Sequence, residues 1–287
     1  MERFSLNGVW QIESIPSDNR QSLSLTGHVP GCVLADLLQA KTDKENVFWR
    51  DNAETVQEYE NDNWRFSREF SVDEIPGQAV LVCERLDTYC DIYLNGQHVG
   101  SADNGFIPHR FALDAARGLL HKGQNRMEIY FYSPISRVQG KRPLSGAFTT
   151  ERLNTRRMQC TYGWDWTMRF VTCGIGADIY IETADSSLAV QDVYVYTKDI
   201  DADSAALGVD CALVNAEKGE VLTFEILDPE GNTVCTREKY CAEPNVHLDF
   251  DVPSPLLWFP NGYGDQPLYT FVEISHAEQS GASKAFI

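Results

Sequence analysis

The sequence predicts an all-β chain built from consecutive β-sandwiches. Short segments that alternate apolar and more polar residues recur along it, as at residues 127–132 and 222–227. Turn residues separate these segments, most clearly Asn95-Gly96 and residues 228–232. Helical periodicity is scarce. Many short strands joined by regular turns are typical of β-sandwiches, so this architecture is the prediction.

The first elements follow from local signals. The helical signal is confined to residues 32–40, where four apolar side chains share one face: Val33, Leu34, Leu37 and Leu38. Asn95-Gly96 lies between the strand-like residues 91–94 and 98–99. Because Asn and Gly both accept positive φ, this dipeptide predicts a tight β-hairpin.

The later elements define two domains, the number that a length of 287 residues favours. Residues 178–181 and 192–196 predict strands, and a small polar stretch at 184–187 separates them. We therefore place a first domain at 1–185 and a second at 186–287. The second has about 100 residues, the size of an immunoglobulin-like sandwich.

Charge limits the possible partners. The chain has 24 Lys and Arg against 42 Asp and Glu, a net charge of −18 that repels phosphate backbones, so no nucleic-acid partner is expected. No apolar stretch approaches the ~20 residues of a membrane helix, so no membrane partner is expected. Residues 1–7 lack the apolar core of a signal peptide. This predicts a cytoplasmic location, or a periplasmic or secreted one if a signal peptide was removed.

Common catalytic and metal motifs are missing from the sequence. It contains no G-x-S-x-G, H-E-x-x-H or C-x-x-C, and Gly174-Ile175-Gly176 lacks the third glycine of a dinucleotide loop. We expect no metal and no cofactor, and we expect the eight cysteines to be buried free thiols. The acidic group Glu58, Glu60 and Asp62 is interpreted as a solvated face.

The segment with the strongest functional signal is residues 159–166, in which Trp164 and Trp166 flank Asp165 next to Gly163. One interpretation is a strand end with a capped turn and two core tryptophans. The other is a sugar subsite, in which the carboxylate accepts hydroxyl hydrogens and an indole covers the C–H face of the ring. The residue types alone leave both open.

Around this segment the chain resembles the β-mannosidase branch of glycoside hydrolase family 2, and the resemblance covers nearly its whole length. Residues 159–170 are similar to F-G-W-D-W-G-P-R-F, and residues 86–111 to L-D-T-x-A-x-I-x-L-N-G followed by N-x-F-x-P-x-R-F. Further similar segments are 29–38 (V-P-G-x-V-x-x-D-L-L), 63–70 (D-W-x-Y-R-x-x-F), 131–134 (F-x-S-P) and 257–269 (L-W-x-P-x-G-x-G-x-Q-P-L-Y).

The chain departs from the family pattern at two places. Thr167-Met168 stands where the family has Gly-Pro, and residues 172–177 replace T-A-G-I-W-R without its tryptophan and arginine. Because Gly and Pro fix backbone shape, the first change is expected to affect the loop that presents Asp165.

The resemblance implies a jelly-roll, galactose-binding-like sandwich followed by an immunoglobulin-like one. It also implies a retaining glycosidase whose two catalytic glutamates lie on a (β/α)₈ barrel, the acid/base glutamate preceded by asparagine. No Asn-Glu dipeptide occurs in these 287 residues. We therefore expect the chain to be the non-catalytic N-terminal region of a β-mannosidase-like enzyme. It is expected to be inactive alone and truncated within its second sandwich, whose open edge could support a homodimer.

By the same resemblance, the partners are a β-mannoside or related glycan and the catalytic barrel of the same polypeptide. Asp165 would bind hydroxyls of the terminal sugar, and Trp164 would form one side of the sugar subsite. Trp166 fits a sugar contact or a core position equally well, and Arg169 could be a structural partner of Asp165. Two alternatives stay open: a β-galactosidase or β-glucuronidase of the same family, and a free-standing carbohydrate-binding module.

Overall fold

The computed structural model describes residues 2–40, 46–74, 78–113, 117–141, 149–184, 188–201, 203–216, 219–275 and 278–285. The chain divides into two units, Met1–Asp185 and Ser186–Ile287.

The first unit is formed mainly by antiparallel strands. They are β1 (Glu2–Ser5), β2 (Gly8–Ile15), β3 (Ser24–Val29), β4 (Asn63–Val72), β5 (Gln78–Cys83), β6 (Leu86–Asp87), β7 (Tyr89–Leu94), β8 (Gln97–Ala102), β9 (His109–Ala112), β10 (Gly123–Tyr132), β11 (Tyr162–Trp164), β12 (Thr167–Arg169), β13 (Gly174–Ile175) and β14 (Ile179–Ala184).

These strands form two main sheets and two short pairs. The larger sheet has the order β3-β2-β4-β10-β7-β8, and the smaller has the order β1-β14-β5-β9. The short pairs are β11-β12 and β13-β6. Strands distant in the sequence lie side by side, since β14 pairs with both β1 and β5. Two layers of antiparallel strands with such crossovers form a β-sandwich.

Alternation along the central strands builds the core of this unit. On β10, Met127, Ile129 and Phe131 are fully buried, as a period of two requires for a strand with one face turned inward. Phe66 of the neighbouring β4 packs edge-on against Phe131, with ring centroids 5.1 Å apart. The larger sheet therefore contributes one continuous apolar face to the core.

Helices are few and short in the described part of this unit. They are α1 (Val33–Ala40), α2 (Thr150–Asn154) and the 3₁₀ segments Asn52–Tyr59, Ser136–Val138 and Gln159–Thr161. The structure confirms the helix expected at residues 32–40, one residue shorter. The sequence did not predict the other helical segments. α2, Ser136–Val138 and Gln159–Thr161 are too short to show a helical period, and Asn52–Tyr59, although as long as α1, is a 3₁₀ segment with about three residues per turn.

The second unit is a separate two-sheet sandwich. Its strands are β15 (Ala189–Ile200), β16 (Ser204–Val214), β17 (Glu220–Leu227), β18 (Thr233–Cys241), β19 (Asn245–Pro253), β20 (Tyr269–Ser275) and β21 (Glu278–Ala285). One sheet has the order β15-β16-β19 and the other β18-β17-β20-β21. Sheets of three and four antiparallel strands are the arrangement of an immunoglobulin-like domain. The all-β prediction is confirmed.

Both predicted hairpins are present. Asn95 and Gly96 have φ values of 52° and 78° and join β7 to β8, as the Asn-Gly turn requires. Residues 228–232 join β17 to β18, and the Asp228 carboxylate accepts hydrogen bonds from the amides of Glu230 and Asn232. The side chain of Asp228 thus supplies the acceptor that holds this turn.

The eight cysteines are free thiols. Five are buried, namely Cys83, Cys90, Cys173, Cys211 and Cys241, which confirms the prediction for most of them. Burial raises the pKa of the Cys211 thiol to about 12. These groups therefore behave as small apolar side chains.

Candidate functional site: the tryptophan–aspartate hairpin

The segment singled out by the sequence forms a short β-hairpin, residues 162–169, here called the WDW hairpin. Its strands β11 and β12 pair Tyr162 with Arg169 and Trp164 with Thr167. Asp165 and Trp166 are therefore the two turn residues. Gly163 has a φ of +94°, which a residue with a side chain rarely adopts, so glycine is needed before Trp164.

The tip of the WDW hairpin is exposed. Trp166 is 72% accessible and Trp164 is 38% accessible. Their ring centroids lie 5.4 Å apart with an interplanar angle of 47°. The core interpretation is therefore wrong for Trp166. Burying an indole in the core is favourable, and neither ring obtains that benefit in full.

Asp165 lies between the two rings in sequence and is exposed. No hydrogen bond or ion pair joins its carboxylate to the part of the chain that the structure describes. Its oxygens are thus available to accept hydrogen bonds from an outside ligand.

Arg169 does not pair with Asp165. Its Nε donates to both carboxylate oxygens of Glu60, at 3.0 and 2.9 Å, and its Nη2 lies 2.7 Å from Oε2. The carboxylate of Glu151, on α2, lies 3.5 Å from Nη1. The interpretation of Arg169 as a partner of Asp165 is therefore corrected. Arg169 therefore contacts the body of the domain and not the Asp165 carboxylate.

The interpretation of the acidic group Glu58, Glu60 and Asp62 is also corrected. Glu58 is exposed, but Glu60 and Asp62 are only 8% and 3% accessible. Asp62 accepts hydrogen bonds from the Ser17 amide, at 3.0 Å, and from Arg20, at 2.7 Å. A solvated face is thus the wrong interpretation for two of the three. The three residues lie at the end of a 3₁₀ segment and just after it, and these turns direct Glu60 and Asp62 inward.

Two opposing effects act on the pKa of the Glu60 carboxyl group. Removal from water raises the pKa of this carboxyl group, and the hydrogen bonds and charge of Arg169 oppose that rise. The same competition sets the pKa of Asp62, which burial raises while the Ser17 amide and Arg20 lower it.

A second arginine supports the hairpin. The guanidinium carbon of Arg152, on α2, lies 4.0 Å from the centroid of the Trp164 ring, within the range of a cation–π contact. Arg152 is 8% accessible, so one face of Trp164 is covered by a buried cation. Sequence reasoning missed Arg152, because nothing in its neighbourhood marks it. It also missed Glu60, whose only signal was the acidic group assigned to solvent.

The replacement of the family's Gly-Pro is accommodated without loss of the hairpin. Thr167 and Met168 lie in β12 and are half-buried. Thr167 pairs with Trp164, and the ladder continues with a bond of 2.8 Å from the Phe170 amide to the Thr161 carbonyl. A proline at 168 would lack an amide hydrogen, whereas Met168 keeps one.

The hairpin has the chemistry of a sugar contact. Aromatic faces and an available carboxylate are the groups that bind the C–H faces and hydroxyls of a sugar. Among the described residues, no group of three His, Cys, Asp or Glu is placed to hold a metal ion, and no helix is long and apolar enough to cross a membrane.

Comparison with known proteins identifies the class. The family described as glycosyl hydrolase 2 galactose-binding domain-like matches residues 10–177, and the family glycosyl hydrolases family 2 matches residues 188–280. The chain belongs to glycosyl hydrolase family 2, of which it carries the N-terminal galactose-binding-like domain and the immunoglobulin-like domain. This confirms the predicted family and fold.

Individual relatives of known name are similar over nearly the whole chain. Beta-mannosidase B of Aspergillus clavatus is 27% identical over 94% of this chain, and beta-mannosidase of Bos taurus is 28% identical over 93%. The crystal structure of beta-D-mannosidase from Dictyoglomus thermophilum is 26% identical, has a TM-score of 0.84, and is similar over 100% of this chain and 36% of that one. The chain spans 32% of the length of each of the first two relatives.

Proposed function

We propose that the chain is the N-terminal, sugar-recognising region of a β-mannosidase-like retaining glycoside hydrolase. The observation that carries the proposal is the exposed tip of the WDW hairpin. There Asp165, whose carboxylate has no polar partner among the described residues, lies in the sequence between two accessible indoles. Relatives named beta-mannosidase, similar over most of the chain, support this choice of sugar.

Each residue of the tip has a separate role in the proposal. Asp165 accepts hydrogen bonds from hydroxyls of the terminal β-D-mannosyl residue. Trp164, held from behind by Arg152, forms a wall of the subsite, and Trp166 offers its accessible face to the ring. Charged acceptors bind hydroxyls more strongly than neutral ones, so Asp165 contributes the larger part of the binding free energy.

Hydrolysis itself is assigned to two glutamates on a (β/α)₈ barrel of the same polypeptide, outside these 287 residues. In a retaining enzyme one carboxylate attacks the sugar while the other protonates the leaving oxygen. Binding the hydroxyls that do not react can hold the ring in the orientation this step needs. The WDW hairpin contributes this binding. The other partners proposed are a β-mannoside glycan and a second copy of the chain. The location proposed for the protein is the cytoplasm, or the periplasm or exterior if a signal peptide is removed.

The test uses the whole reading frame that encodes the chain, assayed with aryl β-mannoside, β-galactoside and β-glucuronide. We expect preference for the mannoside. Asp165→Ala should lower kcat/KM by about 10- to 100-fold, because one hydrogen bond to a charged group contributes about 1.5–3 kcal/mol. The control is Glu58→Ala, also an exposed carboxylate of the first unit, which should stay within about twofold.

Several outcomes would overturn the proposal. They are unchanged activity in Asp165→Ala, preference for the galactoside or glucuronide, and hydrolysis by the 287 residues alone. Calorimetric titration of the 287-residue chain with mannobiose separates the binding-module alternative. Half a subsite should release little heat at millimolar sugar, whereas tight binding would indicate a free-standing module.

A further inference from the structure

The WDW hairpin cannot fix its own orientation. Its strands have three residues each, and isolated two-stranded hairpins are marginally stable in water. The tip makes no polar contact through Asp165 within the described residues. Its direction is therefore set by contacts outside the turn. At the base Tyr162 is buried and Arg169 pairs with Glu60, and nearer the tip Arg152 lies over the Trp164 ring.

Glu60 is itself held by the larger sheet of the first unit. Its carbonyl accepts a hydrogen bond of 2.6 Å from the Ser133 hydroxyl, and its amide donates to Gln57 at 3.1 Å. Ser133 follows β10, and its amide donates at 2.9 Å to the side chain of Asn63, the first residue of β4. The backbone of Glu60 is thus joined to two central strands of the core.

The contact between Glu60 and Arg169 connects the WDW hairpin to these central strands. A planar guanidinium that meets both oxygens of a carboxylate fixes orientation as well as distance. The two residues are 109 apart in the sequence, so the contact joins the hairpin to a distant part of the domain. Glu151, on α2, is a second carboxylate near Arg169. The residue after it, Arg152, covers the Trp164 ring.

We propose that Glu60 is a positioning residue for sugar recognition. Through its two-point contact with Arg169 it holds the WDW hairpin so that Trp164, Asp165 and Trp166 face the sugar together. The role in recognition rests on the proposed function, whereas the effect on the hairpin can be measured without any sugar.

The first test compares Glu60→Gln with Glu58→Gln in the 287-residue chain. Glu60→Gln keeps the shape and removes the charge, and Glu58 is the exposed neighbour that makes no contact with the hairpin. We expect amide hydrogen exchange in residues 160–170 to become about tenfold faster in Glu60→Gln and to stay unchanged in Glu58→Gln. The NMR signals of the Trp164 and Trp166 indole N–H groups should shift toward those of solvated tryptophan.

A double variant separates positioning from general stability. Glu60→Gln alone removes the nearer of the two carboxylates beside Arg169 and leaves only Glu151, at 3.5 Å, which can destabilise the whole domain. Glu60→Gln with Arg169→Met removes that charge and keeps an apolar stem of similar length. The melting temperature should recover in the double variant, while fast exchange of the hairpin persists. Recovery of both would show a purely structural role and overturn the proposal, as would unchanged exchange and indole signals in Glu60→Gln.

The link to the sugar is tested in the whole reading frame. Glu60→Gln should raise KM for aryl β-mannoside about tenfold, as expected when a binding element loses its orientation. If Asp165→Ala has no effect while Glu60→Gln still loosens the hairpin, the proposed function fails and the positioning of the hairpin stands. If Asp165→Ala impairs activity and Glu60→Gln changes neither exchange nor KM, the positioning role fails alone.

Discussion

At the scale of single residues, tryptophan side chains occupy opposite environments in the first unit. Trp10 is 1% accessible and its indole N–H donates to the Leu6 carbonyl at 2.9 Å, whereas Trp166 is 72% accessible. The neighbours of each residue in the sequence do not reveal this difference. A buried ring stabilises the fold through the apolar area it removes from water, whereas a ring that stays in solvent contributes little.

This contrast gives a stability prediction. Trp166→Ala should change the free energy of unfolding by no more than about 0.5 kcal/mol, because the ring is mostly in solvent. Trp10→Ala should cost about 3–5 kcal/mol, because it leaves a cavity and an unpaired Leu6 carbonyl. Denaturant unfolding of both variants measures the difference. A large loss of stability in Trp166→Ala would mean that the ring packs against protein.

At the scale of elements, cross-strand pairing brings together charges that lie far apart in the sequence. His247 of β19 is directly opposite Asp210 of β16, and its Nδ1 lies 2.6 Å from the Asp210 carboxylate. Its Nε2 lies 3.1 Å from Asp249 and 3.2 Å from the Lys198 ammonium. The alternation of each strand places these side chains on one outward face of the sheet.

This group predicts a pH dependence. The hydrogen bonds to Asp210 and then Asp249 raise the pKa of His247 above its usual value of 6.5, although Lys198 opposes them. Because the folded state favours the charged imidazole, this contribution to stability is present below pH 6.5 and is lost as the pH rises through the folded-state pKa. NMR titration of the imidazole measures the pKa.

Asp210→Asn is the control for His247. It removes the charge of the first partner and keeps the strand pairing, so the pKa of His247 should fall toward its usual value. An unchanged titration in this variant would contradict the assignment of Asp210 as the main cause.

At the scale of the whole molecule, each unit has its own hydrophobic core. The two clusters of buried residues share no member among the described residues. The first unit closes only when its last strand, β14, enters the sheet between β1 and β5. A domain of this size with a separate core can fold alone.

Two fragments test this organisation. Residues 1–185 should unfold in one cooperative thermal transition, followed by circular dichroism. Residues 1–177 should not, because loss of β14 leaves β1 and β5 without their shared partner. Cooperative unfolding of the shorter fragment would show that β14 is dispensable, and a broad transition in the longer one would show that the first unit needs the second.

The sequence by itself determined the features that depend on neighbours along the chain. Alternation defined strands such as β10 and β17, the Asn95-Gly96 turn defined one hairpin, and the Trp-Asp-Trp segment marked the candidate site. These signals are local, because side-chain period and turn geometry involve only adjacent residues.

Only the tertiary structure decided which partner each polar group took. It buried Glu60, paired it with Arg169, placed Arg152 behind Trp164 and exposed Trp166. The strand order, with β14 between β1 and β5, was also decided at this level. The physical reason is that burial and pairing between residues a hundred positions apart depend on how the sheets pack. The residues adjacent to each group in the sequence do not determine that packing.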